Sequence, residues 1–164
     1  MRKGEIKKAV LIRKIVARLH ENFTVLEKAA RASHAEATHE SSKADNKYDT
    51  RGLEASYLAR GQSRQAKEIL EAIKSYEALP TRGFVPGEPI ALTALVRMEA
   101  NDTRSTYFIG PTSGGLEIEH HGEEIMVITP QSPLGQNLMG KKEGQQWKAA
   151  LGGSMVKYRI LEVF

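Results

Sequence analysis

The chain contains no cysteine, which excludes disulfides and thiolate metal centres and leaves nothing pointing to an oxidising compartment. Long apolar runs are missing as well. The longest, "AVLI" at 9–12 and "IMVI" at 125–128, fall far short of the roughly 20 residues a membrane-spanning helix needs. Near the start, Arg13, Lys14 and Arg18 interrupt any apolar core of a targeting peptide. A soluble cytoplasmic protein is expected. Catalytic signatures are also scarce. No Gly-x-Ser-x-Gly elbow occurs, so nothing points to nucleophilic catalysis. The histidines His20, His34, His39, His120 and His121 lack the spacing of four that a helical metal pair requires, and they read as surface or turn residues. The single Trp147 reads as part of a β core. "GQNLMGKK" at 135–142 approaches a phosphate-binding loop, but Lys142 stands where a Ser or Thr must hold Mg²⁺, and Gly144 follows where a helix should be growing. It reads as a helix stop.

Charge is present and unevenly placed. Residues 1–79 carry 16 Lys/Arg against 11 Asp/Glu, whereas residues 80–164 carry 8 against 9. A basic face including Lys3, Lys7, Lys14 and Arg18 is expected on the first helix. Such a face raises the prospect of an acidic partner such as nucleic acid, or is simply a solvated helix surface.

Hydrophobic period divides the chain at the same place. A 3-4-3-4 spacing picks out Ala9, Ile12, Val16, Leu19, Phe23, Leu26, Ala30, Ser33 and Ala37, and a second stripe runs Ala55, Ala59, Gln62, Ala66, Ile69, Ile73 and Tyr76. Side chains shrink along the first stripe and grow along the second. Antiparallel packing therefore sets large against large and small against small. The expectation is a coiled-coil hairpin over 1–79, with helices of 30 or more residues spanning on the order of 45–50 Å at about 1.5 Å per residue. Its tip lies near 40–54 and a linker follows at 80–83, where Pro80 ends the second helix.

After Phe84 the period becomes that of strands. "PIALTALVRM" (89–98), "STYFI" (105–109), "GLEIE" (115–119) and "EEIMVIT" (123–129) read as strands. "SPLGQNLMG" (132–140) has the Ser-Pro start and Gly stop of a short helix. "QWKAAL" and "MVKYRILEVF" close the domain as a hairpin across "GGS". The fold class is α+β: a helical hairpin followed by a small β-rich domain at 84–164, which is expected to fold without the hairpin.

The hairpin tip carries Glu40, Asp45, Asp49 and Glu54. Asp49 or Thr50 makes a good N-cap and Glu54 suits the helix dipole. Carboxylates gathered at the end of a rigid arm are also hard oxygen donors able to share a Mg²⁺ ion.

The C-terminal stretch "ITPQSPLGQNLMGKKEGQQWKAALGGSMVKYRILEVF" resembles the Gre-type transcript cleavage factors of bacterial RNA polymerase, through Ser132, Pro133, Leu134, Leu138, Gly140, Lys141, Gly144 and Tyr158. The resemblance implies an FKBP-like C-terminal domain that docks on the rim of the polymerase secondary channel. Ser132, Pro133, Leu134 and Lys141 are the candidate docking residues. It implies a coiled coil that enters the channel, no catalysis by the chain in isolation, and nascent RNA and DNA as neighbours in the elongation complex. A monomer is expected. Prolyl isomerase activity is not, because an aromatic-rich pocket is lacking. By the same resemblance Asp45, helped by Asp49 or Glu40, would share the second Mg²⁺ of the polymerase active site and promote hydrolysis of backtracked RNA. The tip departs from the family's Asp-x-x-Glu-Asn pattern, since Asp45-Asn46 is preceded three residues earlier by Ser42. Two rivals follow: a channel regulator that promotes no cleavage, and a nucleic-acid or chaperone-like binder that uses the basic face.

Overall fold

The computed structural model describes residues 3–39, 51–151 and 153–164. In chain order the elements are α1 (Lys3–Thr38), α2 (Arg51–Glu77), β1 (Leu95–Ala100), β2 (Thr103–Ile109), β3 (Glu117–His120), β4 (Glu123–Ile128), α3 (Pro133–Leu138), β5 (Gln146–Leu151) and β6 (Ser154–Val163). They form two compact units. One is Val16–Lys74; the other joins Met1–Ile15 to Ser75–Phe164.

The first unit is helical and buries the small-residue stripes read from the sequence. Leu19, Ala30 and Ser33 of α1 are buried, as are Ala55, Ala59, Ala66 and Ile73 of α2. Alanine at these positions combines high helix propensity with close approach of the backbones. The hydroxyl of Ser33 donates to Gln62 Oε1 at 3.0 Å, so the two polar members of the stripes satisfy one another rather than leaving a buried group unpaired.

The second unit is built on a six-stranded sheet of order β3-β4-β2-β1-β6-β5. The β2–β4 pair is parallel, while the other pairs are antiparallel. Alternation along the strands gives the sheet two buried faces. Val96, Met98, Ile109, Ile128, Val156, Tyr158 and Ile160 cluster with Ile90, Ala94 and Leu138 on one. Leu95, Phe108, Ile118, Ile125 and Val127 are buried on the other. Burying each such side chain contributes about 1.5–3 kcal/mol.

The bases of α1 and α2 cover this second face. The Tyr76 hydroxyl donates to the Thr112 carbonyl at 2.7 Å, and Lys14 Nζ donates to the Glu119 carbonyl of β3 at 2.8 Å. Lys8, Leu11 and Ile15 of α1 are fully buried. The first-helix stripe omitted Leu11 and Ile15 because near its base α1 is covered on more than one side, and one heptad seam describes only one side. Residues 80–83 are irregular but held. The Arg82 carbonyl accepts from Lys8 Nζ at 2.6 Å, and the Lys8 and Arg82 cations both lie over the Phe84 ring, 4.4 and 4.0 Å from its centroid.

The strand expected over 89–98 begins only at Leu95. Thr93 adopts φ 74°, and its N–H donates to the Ile109 carbonyl at 2.9 Å, so the chain turns before entering the sheet. A β-branched residue in this region is strained. The Thr93 hydroxyl is buried, with no hydrogen-bond partner among the described residues. Thr93→Gly should therefore raise stability. Relief of the left-handed strain (about 1–2 kcal/mol) outweighs glycine's extra entropy (about 0.5–1 kcal/mol), and the orphan hydroxyl is removed with its methyl. A melting temperature that rises by about 2–4 °C, as about 1 kcal/mol gives at this chain length, is the expected result; a fall would show that the threonine packs better than its backbone suggests.

Candidate functional site

The Ser-Pro-Leu motif forms the start of α3. Ser132 sits in extended conformation as N-cap and its Oγ accepts from the Gly135 N–H at 3.1 Å. The same hydroxyl donates to the Thr129 carbonyl at 2.8 Å. Pro133 follows at the first helical position, where its missing N–H costs nothing and its φ is preset. Leu134 is half-buried against the core cluster and Leu138 is fully buried. The helix ends at Leu138, and Gly140 turns the chain with φ 79°. Backbone bonds then lace its exit to Ile90, whose N–H donates to the Lys141 carbonyl at 2.7 Å and whose carbonyl accepts from Gly140 at 2.9 Å. No helix begins at Lys141, in keeping with the reading of this stretch as a helix stop.

Of the four docking candidates, Ser132 and Leu134 are thus occupied in holding α3, and Pro133 is exposed. Lys141 holds its ammonium 5.3 Å from the centre of the Trp147 ring, and Trp147 stacks on Tyr158 with centroids 5.0 Å apart. Pro133, Gln136, Asn137 and Lys142 are among the exposed residues of this surface. Trp147 is half-buried against the core cluster.

The basic face of α1 is divided in its use. Lys14 is bound to β3 as described, and the Glu119 carboxylate beside it accepts from the Gly122 N–H at 2.8 Å. That bond, then the Lys14 charge, hold Glu119 below the usual carboxylate range. Arg18 lies 3.7 Å from Glu21, both exposed, a pair worth little in water. The side chains of Lys3 and Lys7 lie outside those described, although both residues belong to α1. Lys8 was not singled out by sequence reasoning because an isolated lysine in a basic stretch looks solvated.

Glu40, Asp45 and Asp49 lie outside the described residues. Glu54 is exposed in the first turn of α2. Among the described residues no group of three or more His, Asp or Glu could hold a metal ion. One histidine expectation is corrected. His120 is 4% exposed, because β3 alternates and its second inward position follows Ile118; His121 packs edge-on against it at 4.3 Å.

A six-stranded mixed sheet with one short capped helix, preceded by two long helices, defines an α+β protein whose helical part precedes its sheet. Residues 90–164 match the family described as transcription elongation factor GreA/GreB, C-terminal. Among solved structures the chain is similar to GreA factor homolog 1 (Gfh1) of Thermus thermophilus, with 18% identity over 91% of this chain and 94% of that one and a TM-score of 0.37. Gfh1 of Thermus aquaticus gives 20% identity over 96% and 94%, with a TM-score of 0.38. The elongation factor GreA/GreB from Nitrosomonas europaea gives 20% over 63% and 78%, with a TM-score of 0.36. No curated protein matches the chain.

Proposed function

We propose that this chain is a transcription elongation factor that binds RNA polymerase, acts through its secondary channel and stimulates cleavage of backtracked RNA. The observation that carries the reading is the GreA/GreB match over 90–164, preceded in the same chain by two long helices, α1 and α2. In this reading the β domain is the FKBP-like docking domain, and Pro133 and Lys141 on the α3 surface contact the polymerase. The polymerase remains the catalyst. Asp45, with Asp49 or Glu40, supplies carboxylate oxygens, the donors that Mg²⁺ takes. An ion shared there would help activate water for phosphodiester hydrolysis. The basic face supports a separate nucleic-acid role less well, because Lys8 is buried and Lys14 is bound to Glu119.

The test is a cleavage assay on arrested elongation complexes. The chain should release short 3′ RNA fragments faster than polymerase alone, and Asp45→Asn should remove that stimulation. Polymerase affinity should stay within about tenfold, or about 1.4 kcal/mol, since asparagine keeps the size and loses only the charge. Equal cleavage by wild type and Asp45→Asn would reject Asp45 as the acting residue. A second reading is favoured by Ser42, which stands where the family pattern has an acid: the chain occupies the channel without promoting cleavage. Tight binding without stimulation by the wild type is its signature.

A further inference from the structure

Among the described residues β5 ends the sheet and pairs only with β6. The hydrogen bonds at its start fix which backbone groups face outward. The Ile160 N–H donates to the Gln145 carbonyl at 3.0 Å, and the Gly144 N–H donates to the Ile160 carbonyl at 2.9 Å. Because directly bonded pairs alternate along an antiparallel ladder, the register Trp147↔Tyr158, Ala149↔Val156 and Leu151↔Ser154 turns these three β5 residues toward β6. The N–H and C=O groups of Gln146, Lys148 and Ala150 then point away from the sheet. An edge of this kind is a template for another strand.

Three cations stand around this edge, and Glu99 and Asp102 share a hollow with two of them, Lys157 and Arg159. Lys148 stands directly opposite Lys157, and Arg159 stands opposite Gln146; all four residues are exposed. Like charges directly across a ladder are destabilising. Among the described residues none of the three cations has an ion pair, although Glu99 is the cross-strand neighbour of Arg159 on its other side; the Glu99 carboxylate lies 3.5 Å from Arg104 instead. On the opposite face of β5, Lys141 lies over Trp147. An added strand would therefore meet positive charge on both faces. A second copy of β5 would set Lys148 against further cations, so the edge is guarded against itself. An acidic strand would be drawn to it.

We propose that the outer edge of β5 accepts an extended acidic segment of a protein partner, which adds to the sheet as a seventh strand. Nucleic acid shares the charge but cannot complete a backbone ladder, so the unpaired amides favour a polypeptide.

The test uses the full chain and an acetylated peptide of about eight residues alternating glutamate and threonine, the length of an ordinary strand. Amide exchange followed by NMR should slow at least about tenfold at Gln146, Lys148 and Ala150. Trp147 and Ala149, already bonded to β6, should be unchanged. A lysine–threonine peptide should have no effect on wild type. The double variant Lys148→Glu/Lys157→Glu, altered only at exposed positions, should reverse the preference and bind the lysine peptide. Three results would overturn the proposal: shifts without protection of the outward amides, a single-stranded oligonucleotide that displaces the peptide at much lower concentration, or no binding of the acidic peptide at millimolar concentration.

Discussion

Gly135→Ala should destabilise the sheet-bearing unit more than any other single methyl addition described for this chain. A Cβ at Gly135 would stand 1.9 Å from the Thr129 carbonyl oxygen and 2.9 Å from Ser132 Oγ. Real side chains do not approach backbone oxygens so closely, and neither atom is the loose end of a flexible chain. The Thr129 carbonyl already accepts from Ser132, and Ser132 accepts from Gly135. One methyl group therefore breaks the cap together with the turn that feeds it. Overpacking costs about 1–3 kcal/mol and loss of a serine cap about 1 kcal/mol, so a loss of about 3 kcal/mol or more is expected. At about 2–4 °C per kcal/mol for a chain of this length, the melting temperature should fall by roughly 10 °C. Trp147, the single tryptophan, lies in the same core and reports the transition by fluorescence. Ser132→Ala is the control and should cost only the cap. If Gly135→Ala melts within a degree or two of Ser132→Ala, the Thr129 turn is softer than its hydrogen bonds imply.

Tyr76→Ala should cost about 3–5 kcal/mol, the range for removing a buried aromatic ring. Tyr76 is fully buried, and its hydroxyl fills the space beside Gly110, 2.2 Å from where a Cβ would stand. Tyr76→Phe keeps the ring and loses the bond to Thr112, so it should cost only about 0.5–1.5 kcal/mol. The two variants also differ from wild type in alkali. Burial pushes the phenol well above its ordinary value of 10.0, and donation to the Thr112 carbonyl further favours the protonated form. A raised folded-state pKa means that the contribution is fully present below about pH 10, the unfolded value, and is lost as pH rises above it. Urea midpoints measured from pH 8 to pH 11.5 should fall more steeply for wild type than for Tyr76→Phe. Parallel curves would mean that another group governs alkaline unfolding. The same contact bears on the expectation that 84–164 folds alone. Such a fragment lacks Tyr76, Leu11 and Ile15, and leaves the face of Phe108 and Val127 uncovered.

Local rules made much of this chain legible. Ser132, Pro133 and Gly140 announce α3 because cap, first-turn and stop chemistry are properties of single residues. Ala55, Ala59, Ala66 and Ile73 announce a packed helix face because the period is regular. What remained hidden depends on distant partners. Lys8 looks like one more surface cation until the Arg82 carbonyl and the Phe84 ring close over it. The run "IALTAL" satisfies a strand pattern, yet the positive φ of Thr93 turns the chain within it. His120 resembles a turn histidine, and only the pairing of β3 with β4 turns it inward. The parallel β2–β4 pair is likewise invisible locally, since nothing in either strand specifies its direction. The tip acids Glu40, Asp45 and Asp49, whose role rests on the family resemblance, lie outside the described residues.

The position of β6 bears on how the protein is made. Among the described strands β6 comes last in chain order, yet it lies between β1 and β5 and joins them. On a translating ribosome, a nascent chain that has reached residue 153 can zip β1, β2, β4 and β3 together, but β5 has nothing to pair with. The interior slot beside β1 stays open until residues 154–163 emerge, and in that interval it offers unpaired backbone and the apolar side chains of Val96 and Met98. Demand for chaperone protection should therefore rise while β5 is exposed without β6 and fall once β6 is in place.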